Sequence, residues 1–322
     1  MVPCHRPPSH SRDHWALPPT TRVAVNRPSW LTAYAANRSV PGRTGATTSH
    51  MTAKGERAPP VGRGDHAAGK PARGAPSGFG PLLVLWDIDG TLIDNGGVSR
   101  QAYAVTFTRL TGQPPTHPIV PAGKTDPAVL RSMLRQHGIE ATPDLMEQAV
   151  HLMNDVFESL ASRLRDRGHA EPGAQAAIAA LAGRADVVQS VLTGNTRHNA
   201  RVKISVFGLT GALDYEVGAY GSDTEVRADL VLVARTKATA KYGSPFPPAA
   251  TVLIGDTPRD IKAGRSSGTY TVGVATGEYG VDSLTAVGAD AVLPDLRDAD
   301  ALVGAVLGAR RKQPARSSDE LG

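Results

Sequence analysis

The chain has 322 residues, enough for one large domain or two ordinary ones, and its formal net charge is +5. This charge is unevenly spread, because residues 1–77 hold 11 Lys and Arg residues against 3 Asp and Glu residues, whereas the rest holds 24 against 27. The basic character therefore belongs to the N-terminal segment, and we expect no nucleic-acid binding by the remainder. No apolar run approaches the ~20 residues that span a bilayer, so we expect no membrane partner.

The composition separates a folded part from two terminal segments. Residues 1–79 are rich in Pro, Gly, Ser, Arg and His and lack periodicity, which predicts a disordered basic tail. We predict a second disordered tail at residues 310–322. Binding of nucleic acid or an anionic membrane by the basic tail is an alternative that its scarcity of aromatic residues disfavours. The single cysteine, Cys4, excludes an intrachain disulfide and favours a cytoplasmic location.

Between the tails, short apolar runs alternate with helical patterns. In chain order, the predicted strands are Leu82–Asp87, Val187–Leu192, Leu213–Val217, Thr251–Gly255, Tyr270–Val274 and Ala291–Leu293. The predicted helices among the later strands are Arg197–Phe207, Ala228–Tyr242, Pro258–Ser266 and Ala299–Leu307. This alternation indicates an α/β fold, a doubly wound parallel sheet with helices on both faces.

One interval breaks the alternation. Residues 98–185 contain no convincing strand, and apolar residues such as Met146, Met153 and Phe157 recur there at helical spacing. We therefore predict an all-helical cap at 98–185, inserted into a catalytic core made of residues 80–97 and 186–309.

Polar side chains follow three of the predicted strands, and this is where ligands bind in open parallel sheets. The residues at these strand ends are Asp87 and Asp89 for the first strand, Thr193, Gly194 and Asn195 for the second, and Asp256 and Asp260 for the fourth. A lone aspartate at a strand end usually caps a turn or helix, but three polar strand ends in one sheet are harder to explain that way.

Several carboxylates that converge on one point repel each other unless a cation compensates. Mg²⁺ suits such a site, because it takes oxygen ligands and commonly binds substrate phosphate as well. The hydroxyl and backbone N–H groups of residues 193–195 would then hold phosphoryl oxygens, and a further cation should complete the charge balance.

The segments "DIDGTL", "LTGNT" and "GDTPRD", in this order, resemble the signature motifs of the haloacid dehalogenase superfamily of phosphohydrolases. The resemblance spans roughly residues 82–307, and the combination of motifs is more specific than any one of them. The helical insert resembles the cap of the phosphoglycolate phosphatase-like branch. The resemblance implies a core of the same fold with a helical cap.

The resemblance also implies a role for each matching residue. Asp87 would be the nucleophile that forms an aspartyl-phosphate, and Asp89 would protonate the leaving alcohol and then activate water. Thr193 would bind a phosphoryl oxygen. Asp87, Asp256 and the backbone carbonyl of Asp89 would hold Mg²⁺, with Asp260 in or next to that shell.

One expected motif is absent. The family usually carries a lysine, often followed by proline, between the second and fourth motifs, and no Lys-Pro occurs there. The segment "GSDTEVRADLV" aligns best with Arg227 at this place, and a guanidinium can bind phosphate. Lys237 and Lys241 are the alternatives, although their positions inside a helix favour solvent exposure.

Two further segments have candidate roles. In "PAGKTDPAV", Lys124 either contacts the substrate or is a solvated lysine beside a helix cap. Gly194 and Asn195 are candidate phosphate-binding residues. Residues 95–97, Asn-Gly-Gly, are typical of a hinge, since glycines absorb the backbone changes of a closing lid.

The favoured function is a Mg²⁺-dependent phosphatase that acts on a small phosphorylated metabolite. Phosphoryl transfer of the β-phosphoglucomutase type is the nearest alternative, and a non-catalytic phospho-ligand binding protein is a third possibility. Phosphonate hydrolysis is disfavoured because no clear cap lysine could form a Schiff base. Dehalogenation is disfavoured because Asp89 is the proton shuttle that the dehalogenases lack.

Overall fold

The computed structural model describes residues 80–121 and 123–312, so the predictions for residues 1–79 and 313–322 lie outside the described residues. The described strands are β1 (Leu82–Trp86), β2 (Ile93–Asp94), β3 (His169–Ala170), β4 (Val187–Thr193), β5 (Ala219–Tyr220), β6 (Thr251–Gly255), β7 (Tyr270–Val274) and β8 (Ala291–Leu293). The described α-helices are α1 (Val98–Thr111), α2 (Asp126–Gln136), α3 (Pro143–Ser159), α4 (Ala161–Arg167), α5 (Ala174–Ala182), α6 (Arg197–Val206), α7 (Arg227–Tyr242), α8 (Pro258–Ser266), α9 (Val281–Ala286) and α10 (Ala299–Leu307). Within these ranges, every helix is too short or too polar to cross a membrane.

Six strands form one parallel sheet in the order β5-β4-β1-β6-β7-β8. All five residues of β1 are fully buried, as expected for a central strand with helices on both faces. The register places Trp86 beside Val191 of β4 and Ile254 of β6. The predicted α/β fold is therefore confirmed, and the carboxyl ends of β1, β4 and β6 lie side by side.

The predicted strand at 213–217 is wrong, because this segment forms turns and the short strand β5 follows it. Leu213 and Val217 are buried, which explains the strand-like pattern. Asp214 makes one backbone bond to β4, from its N–H to the Gln189 carbonyl at 2.8 Å. Its side chain then accepts the Glu216 N–H at 3.0 Å, and this local bond bends the backbone away from the sheet.

The helices α1 to α4 form a four-helix cap with a hydrophobic cluster of its own, which includes Phe107, Met133, Met153 and Phe157. The cap is connected to the sheet through β2 and β3, which pair antiparallel. The helix α5 lies inside the predicted cap at 98–185, but its apolar side chains pack in the cluster of the sheet. The cap therefore ends at α4, and α5 belongs to the core.

The end of the folded part also differs from the prediction. A 3₁₀-helix covers Gly308–Lys312, although we placed the start of the disordered tail at residue 310. Arg310 explains the difference, since its guanidinium donates to the Asp186 carboxylate at 2.5 Å and to the Gly80 carbonyl at 3.3 Å. These bonds hold the 3₁₀-helix against the segments that precede β1 and β4.

One buried carboxylate joins the cap to the core. Asp126, at the start of α2, is 3% exposed. It accepts hydrogen bonds from the Tyr103 hydroxyl of α1 at 2.5 Å, and from the Thr196 N–H and the Asn199 amide of the core at 2.9 Å each. A carboxylate that is buried but fully paired in this way is costly to remove, because its donors stay buried without an acceptor.

We expect Asp126→Ala to lower the free energy of unfolding by about 2–4 kcal/mol, because three buried donors lose their acceptor. Urea denaturation followed by circular dichroism measures this change. The matched control is Asp155→Ala on α3, an exposed aspartate, for which we expect a change below about 0.5 kcal/mol. Equal, small effects of the two substitutions would contradict the linking role of Asp126.

Candidate active site

A cavity of about 540 Å³ opens beyond the carboxyl ends of β1, β4 and β6. Its walls come from the sheet, the first cap helix and the segment before α2. Most of the predicted site residues line it, namely Asp87, Asp89, Lys124, Thr193, Gly194, Asn195, Arg227 and Asp256. The fold therefore brings the predicted motifs together in one place.

Three carboxylates meet at the floor of this cavity. One oxygen from each of Asp87, Asp256 and Asp260 lies within 4.8 Å of the others. All three side chains are buried. The guanidinium of Arg227 lies among them, 2.9 Å from the Asp87 carboxylate and in contact with Asp260. Because Arg227 is the first residue of α7, the helix backbone directs this side chain into the cavity.

Asp260 differs from the other two carboxylates in that both of its oxygens have partners. Its Oδ1 accepts from Arg227, with the Nε–Oδ1 distance at 2.8 Å. Its Oδ2 accepts from the backbone N–H and the hydroxyl of Thr257, at 3.1 and 2.6 Å, in a capping box at the start of α8. Asp260 therefore fixes Arg227 in place, and its role as a metal ligand stays a prediction.

The electrostatics of the cluster favour a divalent cation. Burial raises the pKa of Asp87 and of Asp256, and the neighbouring carboxylates raise both further, while Arg227 opposes the rise at Asp87. Three carboxylates and one guanidinium leave a formal excess of two negative charges. A small cation with oxygen ligands, such as Mg²⁺, matches both the donor atoms and this charge.

Backbone atoms and one hydroxyl group pack closely around the Asp256 carboxylate. A Cβ added at Gly90 would lie 2.4 Å from the Asp256 Oδ2 atom, and one at Gly277 would lie 2.0 Å from it. Gly90 also has a φ of +81°, which side chains rarely tolerate. The Thr91 hydroxyl donates to the Asp256 Oδ1 atom at 3.0 Å. Backbone therefore closes around this carboxylate and holds it toward Asp87.

Asp89 lies in a second, separate network. Its two oxygens accept from the Lys203 ammonium at 2.8 and 2.7 Å, from the Asn195 amide at 2.8 Å and from the Asn95 amide at 2.8 Å. Burial acts to raise the pKa of Asp89, but Lys203 and the two amides outweigh burial and hold it below its usual range. In this arrangement Asp89 is a carboxylate.

Lys203 was missed by the sequence analysis. Its side chain is only 1% exposed, and its ammonium also donates to the Asn195 Oδ1 atom at 2.6 Å. A signal was present, because Lys203 lies three residues after Ala200, on the same buried face of the helix. A lysine on the apolar face of a helix needs a buried partner, and here that partner is Asp89.

The residues that follow β4 have distinct positions. The Thr193 hydroxyl accepts from the Asn195 amide at 2.7 Å, which directs the hydroxyl hydrogen elsewhere. The Asn195 amide donates to Asp89 and Thr193, and its oxygen accepts from Lys203, so Asn195 orients these three residues. A Cβ at Gly194 would lie 2.3 Å from the Lys124 carbonyl oxygen, so the segment before α2 can approach the core only at a glycine.

The remaining candidate cations are placed differently. Lys124 lines the cavity, and within the described ranges its ammonium makes no hydrogen bond or ion pair. Lys237 binds Asp223 at 3.0 Å and Lys241 binds Asp214 at 2.7 Å, both at the surface and outside the cavity lining. Of the three candidates for the missing family lysine, Arg227 is thus the one that reaches the carboxylate cluster.

Comparison with known proteins agrees with this geometry. The family model of haloacid dehalogenase-like hydrolases matches residues 84–265, which is more than half of the chain. The search among curated proteins found no match.

Solved structures with the same fold include a hydrolase from Pseudomonas syringae, with 21% identity, a TM-score of 0.53 and coverage of 70% of this chain and 98% of that one. CbbY from Rhodobacter sphaeroides, in complex with phosphate, has 18% identity, a TM-score of 0.51 and coverage of 68% and 96%. A hydrolase of family IA from Entamoeba histolytica has 17% identity, a TM-score of 0.53 and coverage of 70% and 99%. At these identities the likeness shows the shared fold.

We expect Mg²⁺ to raise the melting temperature of the protein by about 5–10 °C at a hundredfold excess over its Kd, because the cation binds only the folded cluster. Differential scanning calorimetry with and without Mg²⁺ measures this rise. Asp256→Asn should abolish most of it, whereas Asp282→Asn, an exposed control on α9, should keep it. A rise of the same size in both variants would place the cation elsewhere.

Proposed function

The chain belongs to the haloacid dehalogenase-like hydrolase family, and on this basis we propose that it is a Mg²⁺-dependent phosphatase acting on a small phosphorylated metabolite. The observation that carries the proposal is the separation of two aspartates into two networks. Asp87 lies in the carboxylate cluster with Arg227, whereas Asp89, two residues later, lies with Lys203. This separation supports Asp87 as the nucleophile and Asp89 as the proton-transfer group.

In the proposed first step, an Asp87 oxygen attacks the phosphorus atom and the bond between phosphorus and the leaving oxygen breaks. The product is an aspartyl-phosphate and an alcohol. Asp87, Asp256 and the backbone carbonyl of Asp89 would hold Mg²⁺, which supplies positive charge to the phosphoryl oxygens. Arg227 adds a fixed cation beside Asp87, which opposes the rise in the Asp87 pKa that burial causes and so favours the ionised nucleophile.

The Thr193 hydroxyl supports the same step. Its oxygen accepts the Asn195 amide, so its hydrogen is available to a phosphoryl oxygen. A donor that is held in advance stabilises developing negative charge without reorganising during the reaction.

We assign proton transfer to Asp89. It gives a proton to the leaving oxygen in the first step, and in the second step it takes a proton from the water that attacks the aspartyl-phosphate. The carboxylate form that Lys203 stabilises suits the second step. Donation in the first step requires a protonated Asp89, so Asp89 has to take up a proton from solvent before the alcohol leaves, against the opposing charge of Lys203.

The related structures are compatible with such substrates. CbbY from Rhodobacter sphaeroides was solved with phosphate and, as a mutant, with xylulose-(1,5)bisphosphate. Return of the phosphoryl group to a sugar hydroxyl would use the same residues as hydrolysis, with the hydroxyl in place of water. Release of inorganic phosphate distinguishes the two reactions.

We expect Asp87→Asn to lower kcat for p-nitrophenyl phosphate by several orders of magnitude, because an amide cannot form the covalent intermediate. Phosphate release in the presence of Mg²⁺ measures this loss. Acid-quenched wild-type enzyme should carry a phosphoryl group on Asp87 that mass spectrometry detects. A folded Asp87→Asn variant with near wild-type activity would refute the nucleophile assignment, and an inactive wild type would favour a binding protein.

We expect Arg227→Ala to lower kcat/KM at least about a hundredfold, because the cation that offsets the cluster is lost. Arg227→Lys should recover part of the activity. Lys237→Ala is the matched control, since Lys237 is on the same helix but binds Asp223 outside the cavity. Steady-state kinetics with p-nitrophenyl phosphate tests the three variants. A larger loss in Lys237→Ala than in Arg227→Ala would reverse the assignment.

A further inference from the structure

Four carboxylates line the cavity without a role in the proposed reaction, namely Asp94, Asp126, Glu171 and Glu278, and of these the side chain of Glu171 is both buried and without a hydrogen bond among the described residues. Glu171 follows β3, and its backbone N–H donates to the Leu92 carbonyl at 2.9 Å, which fixes it beside the loop that follows Asp89. Its side chain lines the same cavity as Asp87. The residue is only 8% exposed.

The carboxylate of Glu171 lacks a partner within the described part of the chain, where it makes no hydrogen bond and no ion pair. This is unusual for a buried acid in this protein, since Asp126 accepts from three donors and Asp260 accepts from Arg227 and Thr257. The Glu171 oxygens are not fully enclosed by protein, so they reach the cavity. A buried acceptor that faces a cavity is satisfied when a ligand brings a donor to it.

The charges near Glu171 decide what kind of ligand fits. Burial raises the pKa of Glu171, His169 opposes that rise, and Asp94 adds to it. Asp94 also lines the cavity, so this wall carries two acidic groups. The basic side chains of the cavity lining outside the catalytic networks, Arg100 and Lys124, come from α1 and from the segment before α2. The wall at Glu171 therefore disfavours an anion and favours a hydrogen-bond donor.

We propose that Glu171 determines the leaving-group specificity of this enzyme by accepting a hydrogen bond from a hydroxyl or ammonium group of the substrate. The substrate class is then a phosphate ester of a polyol, sugar or amino alcohol. Esters with a carboxylate or a second phosphate at this position are disfavoured. The inference rests on the proposed phosphatase function, because it assigns Glu171 to the leaving group of the same site.

The experiment measures the affinity of four phosphate esters for the Asp87→Asn variant with Mg²⁺, by isothermal titration calorimetry. Glycerol phosphate offers hydroxyls, phosphoethanolamine offers an ammonium group, phosphoglycolate offers a carboxylate, and p-nitrophenyl phosphate offers no donor. The same titrations are repeated after Glu171→Gln is added. Glu147→Gln, an exposed glutamate on α3, is the matched control.

We expect glycerol phosphate or phosphoethanolamine to bind more tightly than phosphoglycolate. Glu171→Gln removes the charge of the acceptor, so it should weaken phosphoethanolamine about 10- to 100-fold, or glycerol phosphate about threefold. p-Nitrophenyl phosphate should change less than about twofold. A loss confined to phosphoethanolamine identifies an ammonium group, because glutamine still accepts a bond from a hydroxyl. The turnover of each ester by the Glu171→Gln enzyme, with Asp87 intact, should follow the same order in kcat/KM.

The proposal is overturned if phosphoglycolate binds most tightly, if Glu171→Gln leaves all four affinities unchanged, or if Glu147→Gln has the same effect. Hydrolysis of p-nitrophenyl phosphate by the wild type tests the phosphatase function separately. A wild type without activity would refute that function. The order of the four affinities measured by calorimetry would still decide whether Glu171 recognises a hydrogen-bond donor.

Discussion

Everything at this site depends on how the protein keeps three carboxylates buried next to one another. Arg227 neutralises part of their charge, and Asp260 fixes Arg227 while capping α8. Backbone at Gly90 and Gly277 closes around Asp256 so that it cannot turn away from Asp87. The remaining charge is what a divalent cation would offset. The same repulsion that opposes folding therefore creates the binding site, as is common where pKa values are strongly perturbed.

The helix α6 connects the cap to this chemistry. Its first turn supplies Asn199 to the cap residue Asp126, and its last turn supplies Lys203 to Asp89. The Lys203 ammonium also lies 5.1 Å from the centre of the Phe157 ring of the cap. A shift of the cap relative to the core therefore acts on the partners of Asp89. A movement of the cap would therefore reach Asp89, the residue that we propose for proton transfer.

The cavity joins two walls of different character. One wall comes from β1, β4, β6 and α7, and it carries the groups that suit a phosphoryl group and a cation. The other comes from the cap and from the pair β2–β3, and Glu171 lies there without a partner among the described residues. Under the proposed function, core residues would carry out the reaction and residues near the cap would select the leaving group.

The sequence by itself determined the sheet and the floor of the site. Apolar strands that must be buried on both faces, followed by Asp87, Thr193 and Asp256, leave little choice of where these side chains lie, since the carboxyl ends of parallel strands share one edge. The sequence did not determine the turns at 213–217. There the hydrogen bond from the Glu216 N–H to the Asp214 side chain favours a turn, although the apolar pattern predicts a strand.

Only the tertiary structure decided the pairing of charges. The choice of Arg227 over Lys237, the burial of Lys203 against Asp89 and the missing partner of Glu171 all depend on contacts between distant segments. The residue type fixes the charge of a side chain, but it does not fix which group that side chain contacts. The energy of a buried charge is set by which opposite charge or donor the fold brings within about 3 Å.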